Sequence, residues 1–189
     1  MAIPDASRMM AAAIMLFSGK PETTASRIAV RRLLPAEGEA FRAIRLEALA
    51  TCPDAYATTL AKQAADPLAH FTETLRDSPV FGAFLEDGIV GMAGLYREAG
   101  ERKRHKGVLW GMYVRPAVQG LGLGRALLRA VLDHARGEVD QVLLQVVNDN
   151  RRAIRLYESE GFVSYGLERR AMKEGARYLD EYLMVRYLT

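Results

Sequence analysis

Residues Pro116 to Leu128 read PAVQGLGLGRALL: three glycines alternating with leucines, Gln119 in front and an apolar stretch behind. With no side chains at Gly120, Gly122 and Gly124, the backbone N–H groups of this loop, from Gly120 through Leu121 and Leu123 to Arg125, can close on an anion. A helix opening at the same point adds its unpaired N–H groups and the positive end of its dipole. The chemistry on offer is phosphate binding, with a bare glycine-rich turn as the alternative. Arg125 could add a charge-assisted contact to a phosphate oxygen. A solvated first-turn arginine explains that side chain equally well, while its backbone N–H belongs to the anion site in either case.

Two nucleotide-binding patterns fail on this stretch. The P-loop needs G-x-x-x-x-G-K-[ST], and here Arg125-Ala126 follows Gly124. The dinucleotide fingerprint G-x-G-x-x-G would need a glycine at Arg125 or at Leu127. What survives is Q-x-x-G-x-G, read as Gln119, Gly122 and Gly124.

Other chemistry finds little support in the residue types. Cys52 is the single cysteine, so no intrachain disulfide forms and oxidative export gains no support. A nucleophilic Cys52 would need His70, His105 or His134 beside it, and nothing in the spacing places one there. The same histidines lack metal-ligand spacing, so no metal is expected. The net charge of +3 suits an anionic ligand but does not imply nucleic acid. The basic cluster Arg102, Lys103, Arg104, His105 and Lys106 lacks interleaved aromatics and reads as a solvated turn.

The elements that must position the loop follow from periodicity. A chain of 189 residues suits one domain, placed at 27–189. Residues 1–26 carry an apolar run too short to span a bilayer, and Lys20 and Glu22 interrupt any leader pattern. They are expected to form a flexible or loosely docked extension, or an over-long start, on a protein with no membrane partner and a cytoplasmic location. A strand is predicted in 27–35 and a helix in 35–50 with Phe41, Ile44, Leu46 and Leu49 inward. A second helix between Pro67 and Arg76 would share Leu68, Phe71 and Leu75 on one face. Asp87-Gly88 splits two apolar runs into a hairpin over 80–96. A third run, 108–114, leads to the glycine loop and a helix from Gly122, with Leu127, Leu128, Val131, Leu132 and Ala135 on its apolar face and Gly137 stopping it. A strand at 141–147 then makes a right-handed crossover with two parallel strands. Asn148 or Asn150 caps another helix that Gly161 closes, and two strands, 162–170 and 178–188, end the chain. The expected fold is α/β: a mixed sheet of six or seven strands with helices on both faces.

In that order, Q-x-x-G-x-G resembles the pyrophosphate-binding signature of the GNAT superfamily of acyl-CoA N-acyltransferases. The segment NDNRRAIRLYESEGF is similar to the family's N-x-x-A-x-x-L-Y-x-x-x-G-F at Asn150, Ala153, Leu156, Tyr157, Gly161 and Phe162. The resemblance covers roughly residues 27 to 187. It implies a mostly antiparallel sheet with a splayed parallel pair in the centre, and acetyl-CoA as donor to a primary amine acceptor. It further implies that Met112, Tyr113 and Val114 contact the pantetheine arm and polarise the thioester, with Gly111 making a bulge. Asn150 would touch the same arm, though a helix cap explains it nearly as well. Tyr157 would face the sulfur as acid, against simple packing on the helix. Because a phenol titrates near 10 and a thiol near 8.5, full proton transfer costs about 2 kcal/mol, which favours a hydrogen bond to the leaving thiolate. The last hairpin resembles that of small-molecule N-acetyltransferases, so a small or amino-acid-like amine is expected, and a homodimer is allowed. A non-catalytic acyl-CoA-binding module of the same fold is the alternative. No carboxylate lies on strand 108–114 to serve as base; Glu86, Glu98, Asp180 and Glu181 are available elsewhere. Tyr56, Trp110 and Tyr178 are offered as acceptor-side aromatics, with core packing as the other explanation.

Overall fold

The computed structural model describes residues 28–188 apart from Asp87; the extension expected at 1–26 lies outside the described residues. The elements are β1 (Ile28–Arg32), α1 (Gly38–Thr51), α2 (Leu60–Ala64), α3 (Leu68–Asp77), β2 (Val80–Leu85), β3 (Gly88–Arg97), β4 (Lys106–Val114), α4 (Leu123–Ala135), β5 (Gln141–Val147), α5 (Arg151–Ser159), β6 (Val163–Glu174) and β7 (Arg177–Tyr187). They build a seven-stranded sheet in the order β1-β2-β3-β4-β5-β7-β6. Every neighbouring pair is antiparallel except β4 with β5. The α/β class, the mixed sheet and the parallel pair are those expected.

Helices cover both faces, which is why the central strands read as continuous apolar runs. The α4 face expected to be apolar is buried at all five positions, packed with Phe81, Ala83, Val90 and Leu95. On the opposite face α1 and α3 bury Phe41, Ile44, Ala48, Phe71 and Leu75 against Val80, Phe84, Met92 and Tyr113. One expectation shifts here: Leu68 stays 41% exposed instead of joining Phe71 and Leu75. Arg45 is also buried, on α1. The short helix α2 was not foreseen. Its five residues carry too little periodicity to register, and the Thr59 hydroxyl caps it by accepting from the Lys62 N–H at 3.2 Å.

Three local features shape the centre of the sheet. β4 pairs with β5 only at Lys106↔Gln141, Gly107↔Val142 and Val108↔Leu143, after which the two strands part. Opposite β3, the register slips between Met92 and Gly94, and Gly111 has φ +67°, so the bulge expected at this glycine is present. Strand β6 runs four residues past the Arg170 end expected from sequence. A register shift between Glu168 and Met172, with Arg170 at φ +55°, breaks the alternation that periodicity relies on. The Asp180 carboxylate holds that bulge by accepting from the Arg170 N–H at 2.8 Å.

Candidate functional site

A cleft of about 420 Å³ lies along the end of β4 that has parted from β5, beside the glycine loop and α5. Along it lie Met112, Tyr113, Val114, Gln119, Gly120, Gly122, Leu123, Gly124, Arg125 and Asn150, so of the residues expected to bind or act on the donor all but Leu121 and Tyr157 line this cleft. Leu121 is 57% exposed and is not among those lining it. Tyr157 lines an adjoining cavity of about 120 Å³.

The glycine loop divides its labour. Gly120 and Gly122 hold φ of +92° and +81°, and a Cβ at either would meet no atom within 4 Å. Gly122 is the N-cap of α4 and no side chain caps that end. The first intrahelical bond runs from the Ala126 N–H to the Gly122 carbonyl at 3.0 Å. The N–H groups of Gly122, Leu123, Gly124 and Arg125 therefore have no helical acceptor and face an open hollow, the arrangement that receives a pyrophosphate. Gly124 differs: it lies within α4, and a Cβ there would make ordinary contact with Leu156 at 3.4 Å and Met112 at 3.7 Å, so the space at this position does not demand glycine.

Side chains tie this loop to its surroundings. The Gln119 amide donates to the Val114 carbonyl at 2.9 Å and its oxygen accepts from Arg152. The Arg125 guanidinium turns to Glu160 (3.1 Å) and the Ser159 hydroxyl (3.3 Å), not into the hollow. Glu160 is buried and also accepts from Arg129 at 3.0 Å. Arg125 thus contributes its backbone N–H to the loop, while Arg152 is the cation held beside Gln119. Asn150 serves both readings: its side chain caps α5 by accepting from the Ala153 N–H at 3.1 Å, and it lines both cavities.

At the inner end, the Tyr157 ring packs edge-on against Phe162 at 5.8 Å and is buried in the core around α4. Burial pushes its phenol well above the ordinary value, so it stays protonated at any pH of use. Tyr56 and Trp110 line the same small cavity, with the Tyr56 hydroxyl donating to the Met112 carbonyl at 3.1 Å. Tyr178 is 46% exposed, with Arg170 and Lys173 over its ring, and lines neither cavity. The Tyr113 side chain leaves the cleft for the α1 layer, where its hydroxyl donates to Glu47 at 3.1 Å.

No aspartate or glutamate lines either cavity among the described residues. Of the four acids considered, Glu86 stands in the β2–β3 turn, Glu98 faces Lys103, and Asp180 braces the β6 bulge. Glu181 is half-buried opposite Val147, a residue of the small cavity, and desolvation together with Glu168 raises its carboxyl. Ala153 and Leu156, named above only as motif positions, line the cleft, and so does Arg152, which sequence reasoning did not single out although it follows Asn150 on the same helix. Cys52 and Ala55 reach the cleft from the segment between α1 and α2, which the family resemblance puts on the acceptor side. Among the described residues, no cluster of metal-ligating side chains and no helix long and apolar enough to cross a membrane is present.

A profile of the Acetyltransferase (GNAT) family matches residues 42–162. The chain is 46% identical over 82 residues to the N-alpha-acetyltransferase RimI of Mycobacterium tuberculosis, covering 43% of this chain and 50% of that one. It is 37% identical over 140 residues to the mycothiol acetyltransferase of Kineococcus radiotolerans, covering 73% of this chain and 43% of that one. The chain thus spans half or less of the length of these two relatives. Among solved structures, a ribosomal-protein-alanine N-acetyltransferase from Brucella melitensis superposes with a TM-score of 0.70 at 26% identity, over 85% of this chain and 99% of that one. yncA of Salmonella typhimurium, a putative acetyltransferase solved with its cofactor acetyl-CoA, gives a TM-score of 0.73 at 24% identity, over 87% of this chain and 95% of that one. At that identity the second likeness speaks to the fold.

Proposed function

The chain belongs to the acetyltransferase (GNAT) family, and on that premise we propose that it moves an acetyl group from acetyl-CoA to the primary amine of a small or amino-acid-like acceptor. One observation supports this reading: two adjoining cavities lie between the unpaired N–H groups at the head of α4 and Tyr157, the second where β4 and β5 part. They share Ala55, Tyr56, Met112, Asn150, Ala153 and Leu156, which supports an elongated ligand anchored by its phosphates and directed towards that tyrosine.

Bound acetyl-CoA supplies an acyl carbon already activated as a thioester. The chain supplies the rest. The loop from Gly120 to Arg125, with Leu121 carrying only backbone, binds the pyrophosphate, and Arg152 adds a positive charge at its rim. Met112, Tyr113 and Val114 present the β4 backbone along the pantetheine arm, and Asn150 touches the same arm while it caps α5. Tyr157 donates a hydrogen bond where the thiolate departs. Since burial raises its phenol further above a thiol, complete proton transfer is disfavoured beyond the about 2 kcal/mol of the reference values. Hydrogen bonding is therefore its role. The incoming amine must lose a proton, at about 4.6 kcal/mol for a lysine-like group at neutral pH. No acid lines either cavity among the described residues, so no side chain is assigned to take that proton.

The bare, carboxylate-free lining favours a second reading, a module that binds acyl-CoA without turnover. Thiol release from acetyl-CoA in the presence of amines separates the two. Release that no amine accelerates, with acetyl-CoA bound, favours the module. A cytoplasmic location and action without a metal belong to the first proposal.

A further inference from the structure

Glu160 is the one acid buried among the described residues; it closes α5, with its side chain 8% exposed. Two arginines of α4 face it. The Arg129 Nε lies 3.1 and 3.0 Å from the two carboxylate oxygens, with one Nη 3.0 Å from the first. The Arg125 Nε reaches the same carboxylate at 3.1 Å, and its Nη2 donates to the Ser159 hydroxyl at 3.3 Å. That hydroxyl donates onward to the Leu156 carbonyl at 2.8 Å, which leaves its lone pairs for the guanidinium. A single arginine balances a single carboxylate, and Arg129 already does so with both oxygens. The second arginine is therefore more than neutrality requires.

Place sets Arg125 apart from Arg129. Arg129 stands one turn further along α4 and lines neither cavity. Arg125 lines the cleft from the first turn, beside the N–H groups left open for a pyrophosphate, and its side chain is 53% exposed. Helical side chains lean towards the N-terminus of their helix, so an arginine free at this position lies along the anion hollow and can pair with a phosphate oxygen. Instead the guanidinium is drawn to the far end of α5. We infer, resting on the acyl-CoA reading above, that Glu160 is a positioning residue that withholds the Arg125 guanidinium from the phosphates. The donor is then held by backbone N–H groups and Arg152, and spent coenzyme A, which carries the same phosphates, leaves more readily.

Calorimetric titration with acetyl-CoA and with coenzyme A tests this on wild type, Glu160→Gln and Glu160→Asp, each with and without Arg125→Gln, which keeps the backbone N–H. Glu160→Gln should tighten both ligands by roughly 3- to 30-fold, the worth of one partly exposed charge-assisted hydrogen bond. That gain should shrink as salt is raised. Glu160→Asp keeps a charge for Arg129 but draws it back by one methylene, so it should give a smaller gain of the same sign. Arg125→Gln should cost more affinity in the Glu160→Gln background than in wild type, by the same factor. A Glu160 that only braces α4 against α5 would, on replacement, lower the Tm without tightening either ligand. Affinity unchanged or weakened by both Glu160 variants, or a gain that survives Arg125→Gln, overturns the role while the acyl-CoA reading stands. If wild type and every variant fail to bind acetyl-CoA, the acyl-CoA reading itself fails and the role of Glu160 falls with it. Should Glu160→Gln not fold, Glu160→Asp decides: a gain that Arg125→Gln removes upholds the role, and no gain overturns it.

Discussion

Two glycines two residues apart in the loop should respond oppositely to alanine. Gly122 caps α4 in the left-handed region, where an L-residue costs about 1–2 kcal/mol. Nothing lies within 4 Å of the added Cβ, so no contact compensates and no clash adds to that cost. For a domain of this size the loss corresponds to a Tm lower by about 2–8 °C. Gly124 is already helical, where alanine gains up to about 1 kcal/mol. Its Cβ would touch the ends of Leu156 and Met112 at 3.4 and 3.7 Å, both flexible side chains able to yield. Gly124→Ala is therefore expected to be neutral or stabilising. In calorimetric titration with acetyl-CoA, Gly122→Ala should bind more weakly than Gly124→Ala, because its methyl stands on the open side of the N–H groups. Gly122→Glu should abolish binding through bulk and repulsion. Thermal unfolding and titration on the three variants suffice. Equal destabilisation by both alanines, or Gly122→Glu binding as wild type, would refute the division of labour between these glycines.

Tyr157→Phe should lower kcat by roughly 10- to 100-fold, the worth of a hydrogen bond to a developing charge, with acetyl-CoA affinity within about threefold. An unchanged kcat removes Tyr157 from the chemistry. Because burial raises its phenol, no loss of rate from its ionisation is expected up to about pH 10, and a pH–rate profile checks this. At the acid end, Glu47 accepts from Arg115 through three contacts of 2.7–3.0 Å, which lowers its carboxyl below the usual range. A carboxyl depressed in the folded state stabilises fully above its unfolded value, about 4.3, and that contribution disappears as pH falls through the lower folded value. Glu47→Gln should therefore flatten the fall of Tm with acid below about pH 4, and a steeper fall would contradict the pairing.

Much of this was legible in the residues themselves. The α4 apolar face, the β2–β3 hairpin, the β5 run and the Asn150 cap all rest on short-range patterns, and all are present. The failures share a cause as well. β6 outran its expected end because a bulge at Arg170 interrupts alternation, and α2 was too short to show a period. The burial of Arg45 follows from the tertiary placement of Tyr56, Gln63 and Trp110, which local spacing does not show. Arg125 had the right position for a phosphate, yet its side chain is claimed by Glu160, thirty-five positions along the chain. Contacts over such separations leave no trace in local spacing.

The central claim is that the hollow between β4 and β5 carries acyl transfer as well as acyl-CoA binding. The most direct measurement follows coenzyme A thiol release and acetylated product together, across a panel of primary amines, on protein shown to bind acetyl-CoA. The account predicts at least one amine that accelerates release above the amine-free rate, with product formed in equal amount to thiol. Tight acetyl-CoA binding with no amine raising the rate would contradict it.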